Sequence, residues 1–349
     1  ADPLTLAMAT PIDTDALVIG AGPVGLFQVF QLGLQGVACH LVDALPHVGG
    51  QCVELYADKP IYDIPGLPVC TGRELVQRLE QQVAPFAPTQ HLGQQIEQLQ
   101  ALPDGRWAVY SSAGTVWHAK TVFIAAGVGA FVPRSLPIEG LAPHLGRQVH
   151  HASSPLPDLS GQRVLVAGDG DSALQTCLDL AERAARVTLV HRRDHFNAEP
   201  ERLAAFEAAR AAGRVHFVAG QASALMTAGE RLQGLQLLLA DGQLHTEPCE
   251  QLVMALGLSP KLGPVADWGL QIERKQLVVS TDTFATSAPG IFAVGDINTY
   301  PGKKKLILCG FHEATLAAFG AAARLWPDDK TLLQYTTTST TLHKRLGLI

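Results

Sequence analysis

Two clusters in this sequence carry the residue types and spacing for nucleotide chemistry, and they end differently. The first is Gly20-Ala21-Gly22-Pro23-Val24-Gly25, with Asp43 lying 18 residues beyond Gly25. The second is Gly168-Asp169-Gly170-Asp171-Ser172-Ala173, followed further on by His191-Arg192-Arg193. Glycines at this spacing let the backbone approach a pyrophosphate, which free N–H groups and a helix dipole then hold. An acid about 20 residues on accepts hydrogen bonds from a ribose diol and repels a 2′-phosphate. Guanidinium forks do the opposite, binding phosphate oxygens bidentately. The first cluster therefore suits a dinucleotide with a free diol, and the second suits NADP(H). Taken singly, either is also an ordinary glycine turn, and the arginines also read as a solvated strand end. Taken together, they point to two different dinucleotides and to electron transfer between them.

Each turn needs a strand before it and a helix after it. Ala16-Leu17-Val18-Ile19 precedes the first, and Ala38-Cys39-His40-Leu41-Val42 leads into Asp43. Arg163-Val164-Leu165-Val166-Ala167 precedes the second, and Val187-Thr188-Leu189-Val190 leads into His191. Residues 71–86 predict an amphipathic helix capped by Thr71. Segments 106–110 and 115–118, with turns at Asp104-Gly105 and Ala113-Gly114, predict strands. Residues 133–140 read as a linker. Buried strands closing in small residues are expected at 121–127, 251–257 and 289–296, the last ending in Gly295-Asp296. An alanine-rich helix follows, roughly over 311–325. The recurrence of this pattern hints at internal duplication. The fold expected is α/β, with two Rossmann-like three-layer nucleotide-binding domains. If Gly295-Asp296 belongs with the first site, a domain over 131–257 is inserted in a discontinuous one over 10–130 and 258–349.

Composition narrows the class. A chain of 349 residues has room for two cores, and 47% hydrophobic with 17% charged residues describes a globular protein. A net charge of −6 without a basic stripe argues against nucleic-acid binding. No apolar run reaches the ~18 residues of a membrane span. The opening residues lack the basic n-region of a signal peptide, so a cytoplasmic enzyme is expected. Residues 1–7 read as a non-native leader, with Met8 as the native start. The six cysteines (39, 52, 70, 177, 249 and 309) contain no C-x-x-C, which disfavours a redox dithiol or a metal site. Cys39 and Cys177 read as small core residues.

A hydride donor such as NADP(H) delivers two electrons at once, and no side chain stores a hydride for single-electron delivery. A flavin does, and FAD is itself a dinucleotide with a diol for Asp43. The economical assignment is FAD in the first site and NADP(H) in the second. Asp296 would close a strand facing the flavin's ribityl or pyrophosphate region, the plainer alternative being a turn aspartate. Tyr56 and Tyr62 follow Gly49-Gly50-Gln51 and either stack on a flavin or simply pack. Lys303-Lys304-Lys305 reads first as a solvated charge run, and second as a loop steering an acidic protein. The hydroxyl-rich run from Tyr335 to Thr341 reads as a frayed tail as readily as a functional one.

With these residues in place, the chain resembles the flavoprotein pyridine-nucleotide reductases of thioredoxin-reductase architecture. More narrowly, it resembles the thioredoxin-reductase-like class of ferredoxin–NADP⁺ reductases, from about Asp13 to the C-terminus. The motifs are Gly20–Gly25, Val48-Gly49-Gly50-Gln51, Tyr62-Asp63-Ile64-Pro65-Gly66 and Gly129-Ala130-Phe131-Val132-Pro133-Arg134. They continue with Gly168–Ala173, His191-Arg192-Arg193-Asp194-His195-Phe196, Ala293-Val294-Gly295-Asp296 and the threonine-rich tail. True thioredoxin reductases place a C-x-x-C in the NADP domain, and its absence here excludes reduction through an internal dithiol.

The resemblance implies roles residue by residue. For FAD it implies Gly20, Gly22, Pro23, Gly25 and Asp43, with Gln51 on the flavin side and Tyr56 stacked on the ring. Ile96 contacts the adenine through its backbone, Phe131 lines the cofactor, and Asp296 and Thr337 complete the set. Tyr335 takes the place of a second stacking ring, on a tail that crosses to a partner subunit, which implies a homodimer. For NADP(H) the residues are Gly168, Gly170, Ser172, Ala173, His191, Arg192 and Arg193. No side chain is required as an acid or base, and no metal is implied. The activity implied is hydride exchange between nicotinamide and flavin N5, then one-electron exchange with ferredoxin or a similar iron–sulfur protein. Hinges near 128–134 and 256–262 would let the two rings stack. The other readings are an NADPH-dependent reductase of a quinone, a flavodoxin or a separate disulfide protein, and a flavin-bound redox sensor with little turnover.

Overall fold

The computed structural model describes residues 10–329 and 333–349, with the side chains of 130–132 and 260 outside that set. The leader expected over 1–7 therefore lies outside the described residues. The chain divides into two compact units, Ala1–Ala130 with Lys261–Ile349, and Phe131–Pro260. The second crossing falls at 260–261, a few residues beyond the 257–258 read from the sequence.

The first unit is organised by strands whose residues are apolar on both faces, as a covered parallel sheet demands. Ala16, Leu17 and Val18 of the strand Ile12–Ile19 are fully buried. That strand lies between Cys39–Asp43 and Val116–Ile124, with Thr89–Leu92 beyond the former and Ile291–Ala293 beyond the latter, all parallel. Register places Ile19 opposite both Val42 and Ile124, and Ile124 opposite Ala293. The turns that follow these strands consequently emerge along one carboxyl edge, where open α/β sheets bind ligands. Phe123 and Phe292 stack across the join with ring centroids 5.0 Å apart, tying the returning segment into the sheet.

Segments 115–118 and 121–127 form one nine-residue strand, Val116–Ile124, rather than two. Its first half alternates in burial and pairs antiparallel with Trp107–Ser111, while its second half is continuously buried and pairs with Ile291–Ala293. Two patterns in the sequence thus record two neighbours of one strand. Helices Pro23–Gln35, Gly72–Val83 and Ile307–Leu325 pack together over the sheet. The capping box of the second is complete, with Thr71 Oγ1 accepting from Glu74 N–H and the Glu74 carboxylate from Thr71 N–H. The third of these helices starts at Ile307, four residues before the expected 311.

The second unit repeats the plan. Five parallel strands run in the order Val149–His151, Gln251–Met254, Arg163–Ala167, Arg186–His191, His216–Ala219. Alternate residues of its central strand join different cores. Val164 and Val166 pack with helices Asp171–Leu180 and Pro200–Ala211, through Leu174, Cys177 and Phe206. Leu165 and Ala167 pack instead with Leu232, Leu235 and Leu237 of an antiparallel meander, Gln221–Ala228, Arg231–Leu238 and Leu244–Pro248. The period of two in a strand thus yields three layers.

Candidate functional site

The first turn is closed by three backbone hydrogen bonds. Gly20 N–H donates to Val42 O (2.8 Å), Ala125 N–H to Ile19 O (2.7 Å) and Gly49 N–H to Ala21 O (2.8 Å). A side chain at Gly25 would meet the Gly20 carbonyl at 1.7 Å, so the helix packs on the turn only because this position lacks a Cβ. Gly22 and Gly50 face one another, and a Cβ on Gly50 would lie 3.1 Å from the Gly22 Cα. The helix beginning at Pro23 has no side-chain cap and no acid in its first turn, leaving its N-terminal dipole uncompensated.

Asp43 is partly buried at the end of its strand. Its carboxylate accepts from Ala21 N–H (2.6 Å) and Leu45 N–H (2.8 Å), linking strand end to glycine turn. Burial pushes its carboxyl above the ordinary value, against the lowering by those two N–H groups. Gln94 N–H returns to the Asp43 carbonyl (3.0 Å), which brings the start of the strand Ile96–Ala101 to the same end of the site. Ile96 itself is buried.

At the other end, the Gln51 amide lies against Gly127, whose Cβ would come within 2.9 Å of Nε2. Tyr56 is partly buried, and the Cys52 thiol donates to its phenol oxygen over 3.5 Å. Burial, then Cys52, then the charge of Asp296 raise the Tyr56 phenol, so it stays protonated. The same Asp296 charge raises Cys52, which places all three groups in one neighbourhood. Among the described residues the Asp296 carboxylate accepts no hydrogen bond. Val24, inside the first turn, faces both Gly295 and Gly310, where an added Cβ would meet its side chain at 3.4 and 2.4 Å, which sets the Asp296 turn beside the glycine turn. Phe131 falls in the strand Ala130–Pro133, its side chain outside the described residues.

The second turn has the same frame. Gly168 N–H donates to Val190 O (3.2 Å), Ala255 N–H to Ala167 O (2.8 Å) and Asn197 N–H to Asp169 O (2.8 Å). Gly170 ends in extended backbone before an uncapped helix. The Asp171 carboxylate accepts from Glu199 N–H (3.0 Å) and lies 3.5 Å from the Arg202 guanidinium, so its charge is met from outside the turn. Ala173 is buried and Ser172 exposed. His191 stands where the first unit has Asp43, its Nε2 3.7 Å from the Asp169 carboxylate. Burial lowers the imidazole, Asp169 raises it, and Arg192, Arg193 and His195 lower it further. Arg192 and Arg193 are exposed beside it.

The tail is structured rather than frayed. Ser339 caps the helix Thr340–Arg345 by accepting from Leu342 N–H (3.2 Å). Arg345 donates to the Leu34 carbonyl, and its guanidinium lies on Gly36. The tail is therefore anchored at the carboxyl end of the helix Pro23–Gln35, about 18 Å along its axis from the glycine turn. Tyr335 and Thr337 are exposed there.

One group of polar residues escaped the sequence reading. Glu313 is fully buried, and the Lys303 side chain is enclosed with it rather than solvated, whereas Lys304 and Lys305 are exposed. Asn298 and Tyr300 complete the group. The signal available was a lone carboxylate among the buried Gly310, Ala314 and Ala317 of an apolar helix, which demands a partner.

Among the described residues all six cysteines are free. Burial pushes Cys39 and Cys249 up to about 12 and raises Cys177 as well, so none of these is a thiolate nucleophile.

Residues 14–315 match the family described as pyridine nucleotide-disulphide oxidoreductase. A ferredoxin–NADP reductase from Paracidovorax citrulli is 58% identical over 348 residues, 97% of each chain. One from an Acidovorax species is 59% identical over 345 residues, again 97% of each. Among solved structures, a bacillithiol disulfide reductase from Staphylococcus aureus is similar with a TM-score of 0.63 at 14% identity, covering 90% of this chain and 99% of that one. A thioredoxin reductase from T. acidophilum is similar at 0.58 and 19% identity, covering 89% and 98%. These two likenesses concern the fold alone.

Proposed function

Because this chain belongs to the pyridine nucleotide-disulphide oxidoreductase family, and within it to the ferredoxin–NADP reductases, we propose that it binds FAD in the first unit and NADP(H) in the second, and passes electrons between NADP(H) and ferredoxin. The observation that carries this reading is the pair of turns, built on one hydrogen-bond frame and ended by opposite chemistry. FAD, when bound, supplies the conversion between two-electron and one-electron transfer that side chains lack.

The chain's own residues bind and orient. In the first unit the uncapped helix at Pro23, with no acid opposing it, holds the pyrophosphate, and Gly22 and Gly50 leave the backbone approachable. Asp43 retains lone pairs for ribose hydroxyls, and Ile96 offers its backbone to the adenine. Gln51 and the Asp296 carboxylate, which accepts no hydrogen bond among the described residues, face the flavin end, with Tyr56 presenting its ring. In the second unit the helix after Gly170 takes the other pyrophosphate, and His191, Arg192 and Arg193 take the 2′-phosphate. Positioning two rings is the catalytic contribution, and no side chain serves as acid or base. The sequence has no C-x-x-C, which favours an acceptor other than an internal redox dithiol of that kind.

The assembly we propose is a homodimer in the cytoplasm, with Tyr335 and Thr337 presented to the partner's flavin. Anchoring of the tail at the far end of the Pro23–Gln35 helix supports this, because there it lies away from its own chain's turn. No helix among the described residues is long and apolar enough to cross a membrane.

An absorbance spectrum and stopped-flow reduction test the proposal. We expect a flavin spectrum, bleaching by NADPH far faster than by NADH, and onward reduction of ferredoxin faster than of a dye, a quinone or a flavodoxin. Ferredoxin reduced no faster than the dye would remove the acceptor assignment. Full flavin occupancy without NADPH-driven turnover would make the protein a sensor.

A further inference from the structure

Beneath the Gly295-Asp296 turn lies an ion pair that the proposed reaction does not use. Glu313 Oε2 accepts from Gly295 N–H (2.6 Å) and from Asn298 Nδ2 (2.9 Å), and Oε1 accepts from Tyr300 OH (2.9 Å) and Lys303 Nζ (2.5 Å). Four donors occupy the carboxylate's lone-pair sites, so it is saturated. Lys303 Nζ also donates to the Gly295 carbonyl (2.8 Å) and stands 5.3 Å from the centre of the Tyr300 ring. Both polar groups of one residue are thus gripped by the two ends of a single ion pair. Glu313 is 0% exposed and the Lys303 side chain 7%.

We propose that Glu313 and Lys303 act as positioning residues, clamping the Gly295-Asp296 turn while adding no net charge of their own beneath the flavin end of the site. The inference rests on the FAD reading above. Burying an ion pair rarely stabilises a fold beyond what packed apolar residues would achieve, so its presence calls for a geometric or electrostatic reason. Geometry supplies the first. Gly295 has φ +80°, a left-handed conformation that a side chain would strain, so the residue before Asp296 holds an unusual backbone place. Apolar side chains could fill the space but could not hold an N–H and a carbonyl in fixed directions. Gln276 Nε2 adds a third tie, donating to the Asp296 carbonyl (3.2 Å) and the Asn298 carbonyl (2.7 Å).

Charge supplies the second reason. Opposite charges 2.5 Å apart nearly cancel at the distance of a bound ring, whereas either one alone would be felt strongly in a poorly solvated interior. A lone lysine there would favour the electron-rich form of a flavin, and a lone glutamate would disfavour it. Burial and the neighbouring carboxylate raise the Tyr300 phenol, so it remains a donor and adds no charge of its own.

The test uses the purified holoprotein and four variants, Glu313→Gln, Lys303→Met, the double variant and Tyr300→Phe. FAD affinity, the flavin midpoint potential and the melting temperature are measured for each. We expect about tenfold or greater loss of FAD affinity in each charge variant, the size of a lost charged hydrogen bond. The midpoint potential should rise in Glu313→Gln, fall in Lys303→Met and return towards wild type in the double variant. Tyr300→Phe removes one of four donors and should weaken FAD binding a few-fold, which keeps the test alive if a charge variant does not fold. Wild-type FAD affinity in the folded variants would overturn the proposal. So would potentials that stay put or move in one direction while melting temperatures fall, since that is the signature of a purely structural pair. Absence of flavin from the wild-type protein would defeat the underlying reading, and is seen before any substitution is made.

Discussion

The two glycine turns share a backbone frame but couple it to the neighbouring strand in opposite senses. In the first unit the acid sits at the strand end, and Asp43 reaches back to the N–H of Ala21, the second residue of the turn. In the second unit the acid is itself the second residue of the turn, and Asp169 reaches out to His191 at the strand end. The first arrangement presents a negative edge where a ribose diol would lie. The second sets its acid 3.7 Å from His191, with the exposed Arg192 and Arg193 beside it as the ending we propose for a phosphate. Frame and specificity are therefore separable. Backbone hydrogen bonds build the cradle, and on the reading proposed above the strand-end residues decide which nucleotide suits it.

The largest effect should come from removing that second ending. Replacing Arg192 and Arg193 together with alanine should weaken NADPH by about a hundredfold or more, at ~1.5–3 kcal/mol for each charge-assisted bond, and NADH by only a few-fold. Equal losses for both nucleotides, measured as dissociation constants, would collapse the contrast between the units. Next in size is Asp43→Ala. It strands the N–H groups of Ala21 and Leu45 at ~1–3 kcal/mol each, so melting temperature and FAD retention should both fall while NADPH binding to the second unit persists. Parallel loss of NADPH binding would mean the endings are not independent.

A smaller effect is expected from pH. The folded-state value of His191 is lowered, so the unfolded chain binds its proton first as pH falls below about 6.5, and the apoprotein loses stability there. Bound NADPH should oppose this, because its 2′-phosphate favours the charged imidazole. NADPH affinity should then rise on acidification through this range while NADH affinity does not, and Asp169→Asn should move the transition to lower pH. An NADPH affinity flat between pH 5 and 7.5 would exclude His191 from the phosphate site. The smallest change in stability should follow deletion from Tyr335 onward, which removes the Arg345 contact with Leu34 and lowers the melting temperature by a few degrees. Its sharper readout is assembly. A flavin spectrum and turnover unchanged by the deletion would detach the tail from the flavin site.

Much of this was legible along the chain because it is local. Glycine spacing, the apolar runs before each turn, the Thr71–Glu74 capping box and the strand-end residues depend on neighbours within a few positions. The elements expected around 71–86, 106–110 and 163–193 accordingly form close to where the pattern places them. The reading failed where one segment answers to two partners, as with Val116–Ile124, or where a residue's meaning depends on a distant one. Lys303 looks like its neighbours Lys304 and Lys305 until Glu313 is seen beneath it. The tail looks like a frayed end until Leu34 and Gly36 are seen under Arg345, more than 300 residues away in sequence.

The sequence by itself determined that the chain carries two nucleotide turns with unlike endings, because turn chemistry and strand-end charge are properties of short segments. Only the tertiary structure decided that Asp43 is tied to Ala21, that Ile291–Ala293 returns to the first sheet, and that a buried ion pair grips the Gly295 peptide. Such pairings join groups far apart in the chain, and nothing in local backbone preference selects among the partners available until packing has chosen which polar groups share the interior.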